Sequence, residues 1–514
     1  MSVIKSVKRF ALRPFQLCRT GLQWRHRERL FRRFLKTANL SVATATAADA
    51  ALIVVQPWLG TALPWFMFTL GAGFRARGRA VVFVIDDLPF GPDDLAQRVQ
   101  RQSICRIARQ IAATFPCIRL SALTATSTSS LTAAELERQV AMNLVIRYRG
   151  ETLPVGSEPA AESIRATLLK TVGYVRALLE KQRPAYVLFG GGVFSSSGVW
   201  FQVGRQLGLR MATVDCGAGI TVVCGDGIAA NLDDIPQAFA RLPEDDEKSV
   251  LAAAQAEMSR RIKGKDVLSS QSIPACGQGE RFGILLPLNQ SFDTSALGRH
   301  RFFHNQMDWM LKTAAWVLNS TDETIVIRQH PCERVPVCAS TDRFADVLRQ
   351  NFGSHPRLRF ISAFEPINTY DLLERCSVVV PYVSTVGIEA ACLGKPVVTE
   401  GDNCYANLGF VWSAANREEY FKLIAEGLAG RLKVSAEQRQ AAWRCYYLTQ
   451  CMNYYYTTFT PTATDFDRWV LQSPETIFQC QDMQILFEAL DGNVPLALIQ
   501  HEMTRHKSVL ATTD

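Results

Sequence analysis

The sequence contains no CxxC pair, and its 14 cysteines are scattered over 514 residues. No secretory signal precedes them, because no uninterrupted apolar core follows the first positive charges. A disulfide scaffold and a zinc ribbon are therefore excluded, and a reducing compartment is expected. No internal repeat is visible. Charged residues make up only 20% of the chain, against 48% hydrophobic and 10% aromatic residues. That balance excludes a disordered chain, a collagen and a pure coiled coil. The length suits about two to four domains.

Net positive charge is confined to one place. Residues 1–36 hold eleven Lys and Arg against Glu28, so they carry +10 while the other 478 residues carry −2. Val3, Ile4, Phe10, Phe15, Trp24, Phe31 and Phe34 are among the apolar residues between these charges. The pattern suits an anionic membrane surface. The plain alternative is a solvated helix packed on its own domain. Nucleic acid is the least favoured partner, and none is expected. Residues 50–74 contain no charge and approach the ~20 residues of a membrane span. Gln56-Pro57, Gly60, Pro64, Gly71 and Gly73 interrupt them. A buried strand–helix–strand unit fits better.

Apolar β-like runs alternate with helical stretches. They are 51–55, 80–85, 185–189 and 210–214, then 282–286, 324–328, 357–361, 377–380 and 396–398. This predicts an α/β fold with parallel sheets. Residues 264–281 have linker composition, rich in Gly, Ser and Pro. The expected organisation is a basic amphipathic leader over 1–45, an α/β domain over 46–265 and a second over 280–435. A helical extension and loose tail would occupy 436–514. Two such domains would enclose a cleft, with ligands at the carboxyl ends of the strands.

The residues just after each strand are therefore the candidates. His330-Pro331 follows 324–328, and proline keeps His330 extended. After 377–380 come Ser384-Thr385-Val386-Gly387-Ile388-Glu389-Ala390. Here Ser384 or Thr385 is a helix N-cap beside an anion site, and Glu389 is placed to accept hydrogen bonds from sugar hydroxyls. Asn289, Gln290 and Asp293 follow 282–286. In the first half Gly190-Gly191-Gly192 permits close backbone approach to an acceptor or other cleft ligand, or is simply a flexible turn. Asp215, read as the start of a glycine-rich turn, is a candidate base or nucleophile, with an Asx-turn as the plain alternative. Asp86-Asp87 is a weaker candidate of the same kind. Cys216 lacks a histidine partner in sequence and reads as structural.

Together these residues resemble the bacterial capsule polysaccharide biosynthesis glycosyltransferases, the group that includes Kdo transferases. The run Ser384-Thr385-x-Gly387-x-Glu389-Ala390 through Gly394-Lys395-Pro396-Val397 carries most of the likeness. Gln290 with Asp293, His330-Pro331, and Gly401 with Tyr405 carry the rest. Asp215-Cys216-Gly217 stands where the family often has E-x-G. The resemblance implies a GT-B fold of two Rossmann-like domains, with the nucleotide-sugar donor in the C-terminal one and a glycan or glycolipid acceptor in the other. It implies His330, Ser384 and Thr385 on the donor phosphate, a CMP-linked donor, no metal and no cofactor. No DxD-type motif stands at a strand end apart from Asp86-Asp87. Two other functions remain open at this level. One is transfer of a polyol phosphate from a CDP-activated donor; the other is an inactive paralogue serving as an assembly subunit.

Overall fold

The computed structural model describes residues 21–38, 49–58, 61–89, 95–125, 131–217, 219–265 and 279–511. The chain forms two compact units. One comprises 1–140, 158–230 and 454–499; the other comprises 141–157, 231–453 and 500–514. The chain thus leaves the first unit at Ala230, before the linker at 264–281 that composition suggests. The cause is packing. Helix Glu247–Ile262 buries Val250, Ala254, Met258 and Arg261, and its neighbours are helix Ala436–Tyr446 and the π-helical turn Tyr447–Met452. Arg444 ties the preceding helix to the same unit by donating to the Leu242 carbonyl at 2.9 Å.

In the first unit, β1 (Ala51–Val55), β2 (Val81–Ile85), β3 (Cys117–Arg119), β4 (Tyr186–Gly190) and β5 (Met211–Gly217) form a parallel sheet in the order β3-β2-β1-β4-β5. β6 (Ile220–Cys224) and the short strand Tyr455–Tyr456 extend it antiparallel. β1, β2 and β4 are buried along their whole length. Strands covered on both faces need apolar residues at every position, which is why they read as continuous runs.

The uncharged stretch resolves into β1 and the buried helix Leu63–Ala76. A side chain at Gly71 would meet the Phe83 ring at 2.5 Å, so this glycine seats the helix on the sheet. Among the described residues no helix is long and apolar enough to cross a membrane.

The helix over 21–37 turns its aromatics inward. Trp24, Phe31 and Phe34 are buried. Trp24 and Phe31 lie 5.2 and 5.4 Å from Trp65, and Phe34 lies 6.0 Å from Trp469. These three aromatics belong to the core and are not available to a lipid surface, while residues 1–20 lie outside the described set. The expected loose tail is not loose either. Helices Ala463–Trp469, Pro474–Gln479 and Gln481–Leu490 bury Trp469, Phe478 and Leu486 in this unit.

In the second unit β7 (Phe282–Pro287), β8 (Ile325–Arg328), β9 (Leu358–Ile361) and β10 (Cys376–Val379) form a parallel sheet in the order β10-β7-β8-β9. A parallel bridge from Val379 to Val397 brings β11 (Val398–Thr399) beside β10, and β12 (Trp412–Ser413) pairs with β11. Renumbered within the unit, the order is 3-2-1-4-5-6, the Rossmann arrangement. The order reverses between β7 and β10, so the carboxyl ends of these two strands flank the position where such sheets bind ligands. The fold is α/β, with a Rossmann-like parallel sheet in each unit.

Candidate functional site

The loop after β7 is held by side chains. The Asn289 N–H donates to Gln306 Oε1 at 2.8 Å, and Gln306 Nε2 donates back to the Asn289 carbonyl at 3.0 Å. Gln306 opens helix Gln306–Ser320. The Glu151 carboxylate accepts the first N–H groups of that helix, from Gln306 at 3.0 Å and Met307 at 2.8 Å. Burial pushes this carboxyl up to about 7 despite those bonds. Gln290 Nε2 donates to the Cys338 carbonyl at 2.6 Å. Asp293 Oδ1 accepts from the Ser295 N–H and hydroxyl at 3.0 and 2.9 Å.

At the end of β8, His330 is extended (φ −60°, ψ 126°) and caps the short turn Pro331–Arg334. The Cys332 N–H donates to His330 Nδ1 at 3.3 Å. A nitrogen that accepts carries no proton, so the neutral ring has its proton on Nε2. Burial lowers the pKa of this imidazole; the carboxylate of Asp293 opposes that and the cations Arg328 and Arg261 add to it. His330 is accordingly neutral at pH 7 and presents one donor, Nε2–H. Arg328 is itself buried, its guanidinium pulled down to about 10 by burial, and it donates to the carbonyls of Ser362 and Ile367.

β10 leads to the run that opens with Ser384. Ser384 Oγ accepts from the Val386 N–H at 3.3 Å, and the Ser384 carbonyl accepts from the Tyr405 hydroxyl at 2.7 Å. Thr385 precedes helix Val386–Cys392 and makes no side-chain cap bond. A Cβ on Gly387 would meet the Tyr405 hydroxyl at 2.4 Å, and one on Gly401 would meet the Tyr382 carbonyl at 2.5 Å. Gly387 therefore lets Tyr405 pack against the helix, and Gly401 lets its own turn pack on Tyr382. Glu389, expected from sequence to accept hydrogen bonds from sugar hydroxyls, is buried. Its side chain is 2% exposed and pairs with Arg261 at 2.8 Å. Arg261 also donates to Gln450 Oε1 at 2.9 Å. At the end of β11 the buried Glu400 pairs with His300 Nδ1 and accepts from the Arg301 N–H at 3.0 Å. The His300 ring stacks on Tyr382 with centroids 3.5 Å apart.

The structure thus gathers Gln290, Asp293, His330, Ser384 and Thr385 at the carboxyl edge of one sheet. Arg261, Arg328 and His300 were missed, whereas Glu400 opens the polar turn that follows 396–398 in the sequence. Arg328 closes an apolar strand and was visible in the sequence. Arg261 sits on a helix of ordinary composition, and nothing in the sequence points to its contact with Glu389.

In the first unit Asp215 is not in a turn. It lies inside β5 and pairs with Val222 of β6. The turn falls later, where Gly219 takes φ +79°. Asp215 Oδ1 accepts from the Cys216 N–H at 2.8 Å. Burial pushes the Cys216 thiol up to about 12, as suits a structural cysteine. The triple glycine ends β4 with positive φ at Gly191 and Gly192. The protein's own side chains crowd it: a Cβ on Gly190 would meet Leu63 at 2.5 Å, and one on Gly191 would meet Trp58 at 2.8 Å. At the end of β2 Asp86 is buried, accepts from Trp200 Nε1 at 3.1 Å, and is pushed up to about 6 by burial. Asp87 is paired with Arg119 at 2.7 Å.

Residues 255–429 match the family model described as capsule polysaccharide biosynthesis protein. This stretch belongs to that family. The capsule-family stretch begins inside the helix that carries Arg261 and includes the loops after β7, β8, β10 and β11. Protein FixF of Sinorhizobium fredii is 37% identical over 84 residues, 16% of this chain and 17% of that protein. The match therefore spans under a fifth of that relative. Among solved structures, the chain is similar to Thermosulfurimonas dismutans KpsC, beta Kdo 2,4 transferase. The identity is 17%, with 56% of this chain and 88% of that chain covered and a TM-score of 0.37. It is also similar to a putative UDP-N-acetylglucosamine 2-epimerase from Listeria monocytogenes. There the identity is 12%, with 85% and 97% covered and a TM-score of 0.25.

Proposed function

We propose that the protein is a nucleotide-sugar-dependent glycosyltransferase of capsular or other surface polysaccharide biosynthesis. It would act in the GT-B manner, peripherally at the cytoplasmic face of the inner membrane. The observation that carries this reading is His330. A neutral imidazole with Nε2–H as its donor stands at the edge of the capsule-family sheet, with Arg261 and Arg328 among the charges acting on it. When the bond from the sugar to the nucleotide breaks, both electrons leave with the phosphate oxygen. A fixed donor there is worth more as that charge develops. Ser384 and Thr385 supply hydroxyls to the same phosphate, and Gln290 and Asp293 line the donor side. Asp215 of the first unit takes the proton of the acceptor hydroxyl. The donor is a CMP-sugar, with Kdo as the candidate sugar; the acceptor is a glycan or glycolipid.

The test is a thermal-shift panel with CMP, CDP, UDP, GDP and ADP, because a ligand that binds the native state raises its apparent stability. CMP or CDP is expected to give the largest rise, and His330→Ala to abolish it. Stabilisation by UDP or GDP alone would refute the cytidine donor. No rise with any nucleotide would refute the transferase reading.

A further inference from the structure

The first unit carries a cationic cavity that the proposed chemistry does not use. Arg29, Arg32, Arg33 and Lys36 from the helix over 21–37, and Arg106, Arg109 and Gln110 from helix Leu95–Ile111, line an open, shallow cavity of about 840 Å³. The spacings 29-32-33-36 and 106-109-110 each place the residues on one helix face. The helix over 21–37 is thus divided, with Trp24, Phe31, Phe34 and Leu35 in the core and the cations around the cavity.

Like charges at these spacings repel, so the arrangement costs stability unless something compensates it. Glu28 compensates only in part. Its buried carboxylate accepts from Arg32 at 2.7 Å, from Arg106 at 2.9 and 2.7 Å, and from Ser103 at 2.6 Å. Those four bonds use its capacity, and they brace Arg32 and Arg106 at the cavity wall. Arg29, Arg33, Lys36 and Arg109 have no ion-pair partner among the described residues.

We infer that this cavity is a binding site for the phosphate-bearing headgroup of an anionic phospholipid. The inference rests on the membrane-surface part of the proposed function and names the residues that would carry it. Guanidinium forks match phosphate oxygens. The lining holds no aromatic ring on which a nucleic-acid base would stack. Leu22, two turns before Arg29 on the same helix face, is 67% exposed. An exposed leucine beside a cationic stripe suits the boundary between headgroups and acyl chains. Residues 1–20, which lead directly into this helix, alternate Lys and Arg with Val, Ile, Leu and Phe.

The test uses the full-length protein and three variants. Arg29→Gln/Arg33→Gln/Lys36→Gln empties the cavity of three cations without touching the Glu28 bonds. Lys170→Gln/Lys181→Gln/Arg241→Gln removes the same charge from exposed positions elsewhere. Deletion of 1–20 reports on the segment before the helix. Co-sedimentation is measured with phosphatidylcholine vesicles, with and without phosphatidylglycerol, and melting temperature is recorded for each variant. The wild type is expected to bind only the anionic vesicles. The cavity variant should lose roughly 100-fold in partitioning, since each near-surface cation is worth about fivefold. The control variant should lose far less, and the deletion should keep a cavity-dependent component. If the wild type binds anionic vesicles and the cavity variant binds them equally, the cavity assignment falls while the membrane reading stands. Equal loss in cavity and control variants would mean diffuse attraction and would also overturn the assignment. If the wild type binds no vesicle but binds a soluble polyanion such as dextran sulfate, both fall.

Discussion

His330→Asn separates the histidine's two roles. In the folded protein Nδ1 accepts the Cys332 N–H while Nε2 carries the donor. Asparagine is a good acceptor at such turns; Asn305, Asn368 and Asn416 cap helices in this same unit. The variant should therefore keep the turn but lose the longer-reaching donor. A hydrogen bond to a charged group contributes about 1.5–3 kcal/mol, so the nucleotide Kd should rise roughly 10- to 150-fold. Melting temperature should hardly change. His330→Ala should lose the same affinity and, in addition, about 1 kcal/mol of stability from the lost cap. The pH dependence has a definite sign. The imidazole pKa is depressed in the folded protein, so its contribution to stability is present above about 6.5 and lost as pH falls through the depressed pKa. A bound phosphate favours the protonated ring. The ratio of wild-type to His330→Asn affinity should therefore grow as pH falls below 6.5. Calorimetric titration with the nucleotide chosen by the panel, at several pH values, measures it. An unchanged Kd in His330→Asn would refute the phosphate role and with it the placement of the donor at this edge.

Three further outcomes are expected. Asp86, raised from 3.8 to about 6 by burial, favours folding when protonated, so its contribution is complete below about pH 4 and lost by about pH 6; that loss is roughly 3 kcal/mol. Asp86→Asn should flatten the pH dependence in this window in urea unfolding, and curves parallel to wild type would contradict it. Glu389→Gln leaves Arg261 buried without its countercharge and should cost roughly 3–5 kcal/mol, most of it regained in Arg261→Met/Glu389→Met; thermal unfolding of the variants reads this, and a neutral Glu389→Gln would show the pair to be inert. Asp215→Asn should leave nucleotide affinity unchanged while transfer falls by about 10²-fold or more; full transfer activity would move the base elsewhere, with Asp86 the first place to look.

What the sequence could reveal of the fold depended on periodicity. Continuous runs such as Val81–Ile85 announce strands buried on both faces, and 324–328 coincides closely with β8. The order β9-β8-β7-β10 leaves no trace in any single run, because pairing is a tertiary choice. The leader was read from its charge, yet Trp24, Phe31, Phe34 and Leu35 recur at helical spacing and form its buried face. The linker at 264–281 was sound as composition and misleading as a boundary, since helix Glu247–Ile262 finds its apolar partners in the second unit. Asp215 was assigned to a turn because glycines follow it. The strand runs on through Gly217, which any strand edge tolerates, and only Gly219 needs the left-handed region.

The site was legible where a residue follows a strand and obscure where it depends on a partner from another element. His330 and Ser384 belong to the first kind. Glu389 belongs to the second, and the difference has a chemical consequence. A carboxylate that is 2% exposed and paired with Arg261 has its charge committed within the protein. If the chain binds a sugar donor, the donor's hydroxyls would meet groups at the same sheet edge with unspent capacity. Asn289 Oδ1 and Ser291 Oγ are such groups, both buried and both without a hydrogen-bond partner among the described residues. They lie on the loop after β7, beside the point where strand order reverses, and Glu151 and Gln306 hold that loop through its backbone. Leaving such groups unpaired costs on the order of 1–3 kcal/mol each. A ligand hydroxyl that satisfied them would recover that energy, and we propose on that ground that sugar recognition lies at the loop after β7 while Glu389 is held by Arg261.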